Sequence, residues 1–125
     1  MRVLLDHNLN WRLARYLPTD WYVDSTRRQR WEGLDNGDLL SVAQHQFDVM
    51  LTTDKALYGQ QNVPLYNLAV IVLRAYTNEL EDLLPFIPNI VQMVGEIAPG
   101  EVGWLYADEE IRQRDQRKRR GEFAR

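Results

Sequence analysis

An α/β fold, a three-layer sandwich built on a mostly parallel central sheet, is what this chain of 125 residues predicts, on three observations. Short runs rich in aliphatic and β-branched residues alternate along the chain with stretches whose apolar residues recur at helical spacing. Two of those runs, "RVLLD" at 2–6 and "FDVMLTTD" at 47–54, pass straight into an aspartate. The most apolar run, "LAVIVLR" at 68–74, has no polar face, as a central strand covered on both sides requires.

In chain order, "RVLL" is read as the first strand and "NLNWRLARYL" from Asn8 to Leu17 as a helix with Leu9, Leu13, Tyr16 and Leu17 on one face, stopped by Pro18. "WYVDS" at 21–25 is a second short strand. "LDNGDLLSVAQHQ" at 34–46 is a second helix, capped by Asp35 or Asn36, with Leu39, Leu40 and Ala43 turned inward. The third strand ends at Asp54 and leads into a loop containing "YGQQNVPLY". "NELEDLLPFIPNIVQMVGEI" is helical but broken at Pro85, which ends one short helix and opens the next. A turn and a last strand, "PGEVGWLYA", complete the pattern.

A 45% hydrophobic composition suits one domain with a real core. No apolar run approaches the roughly 20 residues of a membrane span, and a signal-peptide layout is absent, so the expected location is the cytoplasm, away from membranes. With no cysteine, a metal has to be held by oxygen or by one of two histidines. The net charge of −3 conceals an asymmetry. Residues 112–125, "RQRDQRKRRGEFAR", carry +5, which leaves −8 on residues 1–111. The chain is therefore divided into a domain over 1–107 and a charged, mostly basic C-terminal tail over 108–125, a solvated end or a contact for phosphate or an acidic partner. "STRRQRW" at 25–31 is a second basic cluster, open to the same two readings.

In an open parallel sheet the carboxyl ends of the strands line one edge, and ligands bind just beyond it. Asp6 and Asp54 follow strands and Asp38 lies in the first turn of the helix before the third strand, so all three carboxylates are expected on that edge. A simple turn or cap is the plainer role for any one of them. Clustered carboxylates repel, and a bound cation relieves the repulsion. Oxygen ligands with few histidines favour Mg²⁺ or Mn²⁺, and such an ion supports phosphodiester hydrolysis. Asp6, Asp38 and Asp54 are the candidate catalytic and metal-binding residues. Asn8, Thr53, Asp35 and His7 are near enough to assist, with cap and turn roles as the alternative. Gln60, Gln61 and Asn62 in the loop after the third strand are candidates for substrate contact, against a solvated loop.

"LLDHNLNWRLARYLP", "WEGLDNGDLLSVAQHQFDVMLTTDKAL" and "LAVIVLRA" together resemble the short PIN-like family, relatives of the PIN-domain ribonuclease toxins of bacterial toxin–antitoxin pairs. The likeness covers residues 1 to about 98. "LYGQQNVPLYNLAVIVLRAYTNELEDLLPFIP" further resembles a subgroup with Gln-Gln-Asn after the third strand and an Asn near the start of the later helix, here Asn78. The resemblance implies a PIN-like domain and places the motif's acids on Asp6, Asp38 and Asp54, with Thr53 where such nucleases often carry Thr or Ser. Many of them have a fourth acid, and no residue after Asp54 matches it. Lys55 adds a positive charge beside the site or touches substrate phosphate.

The reading that follows is a metal-dependent endoribonuclease using Mg²⁺ or Mn²⁺, with RNA as substrate and a cognate antitoxin protein as partner, homodimerisation being open. Its alternative is a non-catalytic PIN-like module that binds RNA or a partner protein, favoured by the missing fourth acid and the basic tail. A receiver-type phosphoacceptor fits less well, because "LLDHN" lacks paired acids and "LAVIVLRAY" lacks a lysine.

Overall fold

Strand β1 (Arg2–Leu5) pairs in parallel with β2 (Tyr22–Ser25) on one side and with β3 (Val49–Thr52) on the other. β3 pairs with β4 (Ala69–Arg74) and β4 with β5 (Val102–Tyr106), again in parallel, so the sheet runs β2-β1-β3-β4-β5. The computed structural model describes residues 1–55 and 63–123, with side chains as far as 118. The expected α/β class with a parallel central sheet is what it shows. "LAVIVLR" forms β4, buried on both faces as expected, but β3 occupies the centre of the sheet.

Alternation along each strand sends side chains to two separate cores. Val3, Leu5, Val49, Leu51 and Ile71 point to the first face, where they meet Leu9, Leu13 and Leu17 from the β1–β2 connection and Leu83, Phe86, Ile90 and Val94 from the β4–β5 connection. Leu4, Met50, Val70 and Val72 point to the second face, against Leu39, Leu40, Ala43 and Phe47. Helix α1 (Asn36–Ala43) supplies the first three of these. Asp35 is its cap, accepting from the Asp38 N–H at 2.8 Å.

The expected helix over 8–17 is shorter and tighter: a 3₁₀ helix at Trp11–Tyr16. Its start is delayed because the Asn8 side chain turns to Thr52, and Asn10 takes the cap by accepting from the Arg12 N–H at 3.1 Å. The β4–β5 connection breaks as the prolines dictate, into α2 (Leu80–Leu83), a 3₁₀ turn at Leu84–Phe86 and α3 (Ile87–Val94), with Pro88 in the first turn of α3. Residues of the basic tail form a further helix, α4 (Glu109–Phe123). It is docked: Ile111 and Asp115 are buried, and Asp115 forms a two-pronged ion pair with Arg74, Nε at 2.6 Å and Nη2 at 3.2 Å. Arg74 is in phase with Val70 and Val72, so α4 covers the second face.

The β3–β4 and β4–β5 connections both step the same way across the sheet. Val63 and Leu68 of the former pack on the second face, whereas α2 and α3 pack on the first, so the two crossovers have opposite hands. The other connections agree with β3–β4, which makes β4–β5 the rare left-handed one. This choice returns the chain to the face that carries the β1–β2 connection.

Candidate site at the carboxyl ends of β1 and β3

The order 2-1-3-4-5 reverses direction between β1 and β3, and the described parts of the connections that follow these two strands lie on opposite faces, which opens a crevice at their carboxyl ends. Asp6 and Asp54 follow those two strands. The Asp6 N–H extends the ladder by donating to Leu51 O at 3.0 Å, which fixes the residue at the strand's mouth, where it is only 5% exposed. Its carboxylate does not cap the following helix, since Asn10 does. Instead Oδ1 accepts from the His7 N–H at 2.8 Å, with His7 Nδ1 at 3.1 Å, and Oδ2 accepts from the Thr52 hydroxyl at 2.8 Å.

Thr52 joins the two strand ends. Fully buried, it donates to Asp6 while its oxygen accepts from the Asp54 N–H at 3.0 Å. Asn8 reaches the same turn from β1: its Oδ1 lies 3.4 Å from both the Thr52 hydroxyl and the Thr53 N–H, and its carbonyl oxygen 3.5 Å from the Thr53 hydroxyl. Asp6, Asn8, Thr53 and Asp54 are thus brought together. Lys55 is exposed beside them. Asp38 is exposed in the first turn of α1, and no three His, Cys, Asp or Glu side chains among the described residues form a group able to hold a metal ion, so Asp6, Asp38 and Asp54 do not make a three-carboxylate cluster. Gln60, Gln61 and Asn62 lie outside the described residues.

Asp6 supplies a carboxylate at the switch point, the turn fixed by Thr52 brings Asp54 beside it in the chain fold, and Asn8 and the threonines add amide and hydroxyl oxygens, all of them hard donors. That set suits Mg²⁺ or Mn²⁺, and Mg²⁺ is commonly held by one or two carboxylates with waters and substrate phosphate completing its shell. Asp6 and Asp54 are the residues that would hold it.

Two depressions flank this point. One, of about 370 Å³, opens over the ends of β1 and β2 and is lined among others by Asp6, Trp11, Arg27, Arg28 and Asn78. The other, of about 200 Å³, opens over the ends of β3 and β4, between Thr53, Arg74, Thr77 and Asn78. Asn78 belongs to both, carried there by the left-handed crossover and clamped to the β1–β2 connection: its Oδ1 accepts from the Asn10 N–H at 2.9 Å and its carbonyl from Asn10 Nδ2 at 3.1 Å. Sequence reasoning found the aspartates by their place after apolar runs and Arg27 only as part of the basic cluster at 25–31, but missed Thr52, which reads as the last residue of a strand, and Asn10 and Trp11, whose convergence with Arg27 depends on strand order.

Farther along the same edge, Asp108 caps α4 through the Ile111 N–H at 2.8 Å and accepts from the Tyr76 hydroxyl. The bond from Tyr76, followed by that from Ile111, holds the Asp108 carboxyl below its ordinary range, and the carboxylate in turn raises the Tyr76 hydroxyl. Among the described residues no helix is long and apolar enough to cross a membrane. Comparison with protein-family models, with curated proteins and with solved structures finds nothing that matches the chain.

Proposed function

We propose that this chain is a metal-dependent endoribonuclease that hydrolyses RNA phosphodiester bonds, the toxin of a toxin–antitoxin module with a cognate antitoxin as partner, acting in the cytoplasm. The observation that carries the proposal is Asp6: a carboxylate held at the sheet's switch point by Thr52 and His7, beside Asp54, and not used as a helix cap. The resemblance of the chain to the short PIN-like family supports the same chemistry and is the sole ground for the antitoxin.

A divalent ion bound there would lower the pKa of a coordinated water and offset charge on the phosphate. The protein's own part is positional. Thr52 orients the Asp6 carboxylate and fixes the backbone of the turn that carries Asp54, so the Asp6 carboxylate would not have to reorganise when substrate arrives. Asn8 keeps the turn's Thr53 N–H and hydroxyl in place at the edge of the second depression. Lys55, exposed next to Asp54 in the chain, would meet a phosphate oxygen.

A second reading, a non-catalytic module that binds RNA or a partner protein, is favoured by one observation, the exposure of Asp38 apart from any three-carboxylate group. A receiver-type phosphoacceptor shares the strand order, but the residues after β5 are Ala107 and Asp108 where it would need a lysine. The separating experiment is incubation of a mixed RNA pool with the protein in Mg²⁺, in Mn²⁺ and in chelator. The hydrolase predicts fragments with either metal and none with chelator; retention of intact RNA in every condition supports the binding module.

A further inference from the structure

We propose that the depression over the ends of β1 and β2 is a nucleotide subsite for single-stranded RNA, in which an unpaired base stacks on Trp11 and its phosphate meets Arg27; the inference rests on the reading of RNA as substrate. Four observations converge on it. The depression, at about 370 Å³, falls within the roughly 300–1,000 Å³ of small-ligand sites and shares Asp6 with the candidate catalytic point, so whatever fills it adjoins the bond to be cut.

Trp11 is the second. A tryptophan 43% exposed at the start of a six-residue 3₁₀ helix gives little to the core, where Leu13 does the packing. Trp31, by contrast, sits edge-on against Phe47 at 6.1 Å and belongs to the second core. An indole presented at a polar groove is the usual platform for an unpaired base.

Charge is the third. The body of the chain is acidic, yet Arg27 and Arg28 both line this groove. Arg28 leans on Asp24, 3.5 Å away, and Asp24 also accepts from Gln29 Nε2 and the Ser25 N–H at 2.8 Å each, a network that fixes the loop. Arg30 completes the tight turn with a positive φ of 62°, and its N–H donates to Arg27 O at 3.0 Å. The loop is therefore shaped by its own bonds and leaves the exposed Arg27 side chain for a phosphate.

Asn78 is the fourth. Its Oδ1 is taken by the Asn10 N–H, which orients the amide and leaves the Nδ2 donors to face an acceptor such as a base carbonyl. Because Asn78 also lines the depression over β3 and β4, an RNA strand held here has a continuous course along the sheet edge past Asp6.

The test is the binding of a fluorescein-labelled, eight-nucleotide single-stranded RNA of mixed sequence, followed by anisotropy in chelator so that cleavage does not intervene. Trp11→Ala is expected to weaken binding about 10- to 100-fold, with recovery in Trp11→Phe, since stacking is tolerant of the ring that provides it. Arg27→Gln is expected to lower the slope of log K against log salt by about 0.7, the value for one single-strand phosphate contact. Arg12→Gln, an exposed change of equal charge outside the groove, should leave that slope as in the wild type. A duplex of the same sequence should show no dependence on Trp11. Melting of each variant confirms folding. Wild-type affinity in Trp11→Ala, a slope in Arg27→Gln equal to that in Arg12→Gln, or no binding by the wild type overturns the subsite. RNA bound through Trp11 yet never cleaved would overturn the hydrolase and keep the subsite; cleavage undiminished in both variants would do the reverse.

Discussion

Replacing Thr52 by valine keeps the shape of a β-branched, fully buried side chain and removes only its hydroxyl. That hydroxyl makes two short bonds, one given to Asp6 at 2.8 Å and one accepted from the Asp54 N–H at 3.0 Å, with Asn8 Oδ1 a longer contact at 3.4 Å. A hydrogen bond to a charged group contributes about 1.5–3 kcal/mol, and a buried polar atom left without its partner costs about 1–3 kcal/mol. Against these stands about 0.8 kcal/mol for the added methyl. A net loss of about 2–4 kcal/mol is expected, a large part of the 5–15 kcal/mol that holds a typical domain, with Tm lower by about 10 °C. Thr26 is the internal control. It too is fully buried at a strand's carboxyl end, but its hydroxyl has no partner among the described residues. Thr26→Val should therefore stabilise the chain by about 1 kcal/mol, the same substitution with the opposite sign. Urea unfolding of the three proteins gives the comparison, at unchanged m. If Thr52→Val is as stable as wild type, or if both variants shift the midpoint the same way, the account of the Asp6–Thr52–Asp54 network is wrong.

Breaking the Arg74–Asp115 pair from one side, as in Asp115→Asn, should cost about 3–5 kcal/mol, whereas the double replacement Arg74→Met with Asp115→Leu should be close to neutral; equal losses in the two would contradict a buried pair. The folded value of Asp108 lies below the ordinary 3.8, so its contribution to the cap of α4 is complete above that pH and is lost as pH falls through the lowered value. Tyr76 is the mirror case, contributing below pH 10.0 and losing its bond as pH rises through its raised value. Hydrogen exchange at the Ile111 amide should then report a closed cap between these limits, with the acid opening moved to higher pH in Tyr76→Phe; a profile unchanged by that substitution would contradict it. Gly103→Ala places a Cβ against Met93 Sδ, where β5 approaches α3, and should destabilise by about 1–3 kcal/mol, to be read from thermal melting; an unchanged Tm would show that Met93 yields freely.

The fold class was legible because continuous apolar runs and stretches of helical spacing hardly mix in this chain, and because Pro18, Pro85 and Pro88 punctuate it. Asp6 and Asp54 were legible for a related reason: a charge placed directly after a strand marks the strand's end and the sheet edge together. Asp38 shows where such reasoning stops. Its spacing from Asp35 places it in the first turn of α1, but the direction in which that turn faces depends on how the helix sits on the second core, which no local pattern encodes. The 3₁₀ geometry at Trp11–Tyr16 depends on where Asn8 and Asn10 find partners, 44 and 68 residues away. Asn78 reaches the site only through a crossover of unusual hand, a choice that the alternating elements leave open. The basic tail read as a run of charge, and the burial of Ile111 and Asp115 within it, matched to Arg74, was hidden by the arginines on either side.

The most direct test of the proposed chemistry compares wild type with Asp6→Asn, which keeps the size of the side chain and an acceptor for Thr52 while removing one charge from the carboxylate pair. Cleavage of a mixed RNA pool in Mg²⁺ or Mn²⁺ is measured beside thermal melting of both proteins. The account predicts that the wild type cleaves, that chelator abolishes cleavage, and that Asp6→Asn cleaves slower by orders of magnitude while still melting as a folded domain. Equal cleavage by the two proteins, or cleavage that survives chelation, would contradict it.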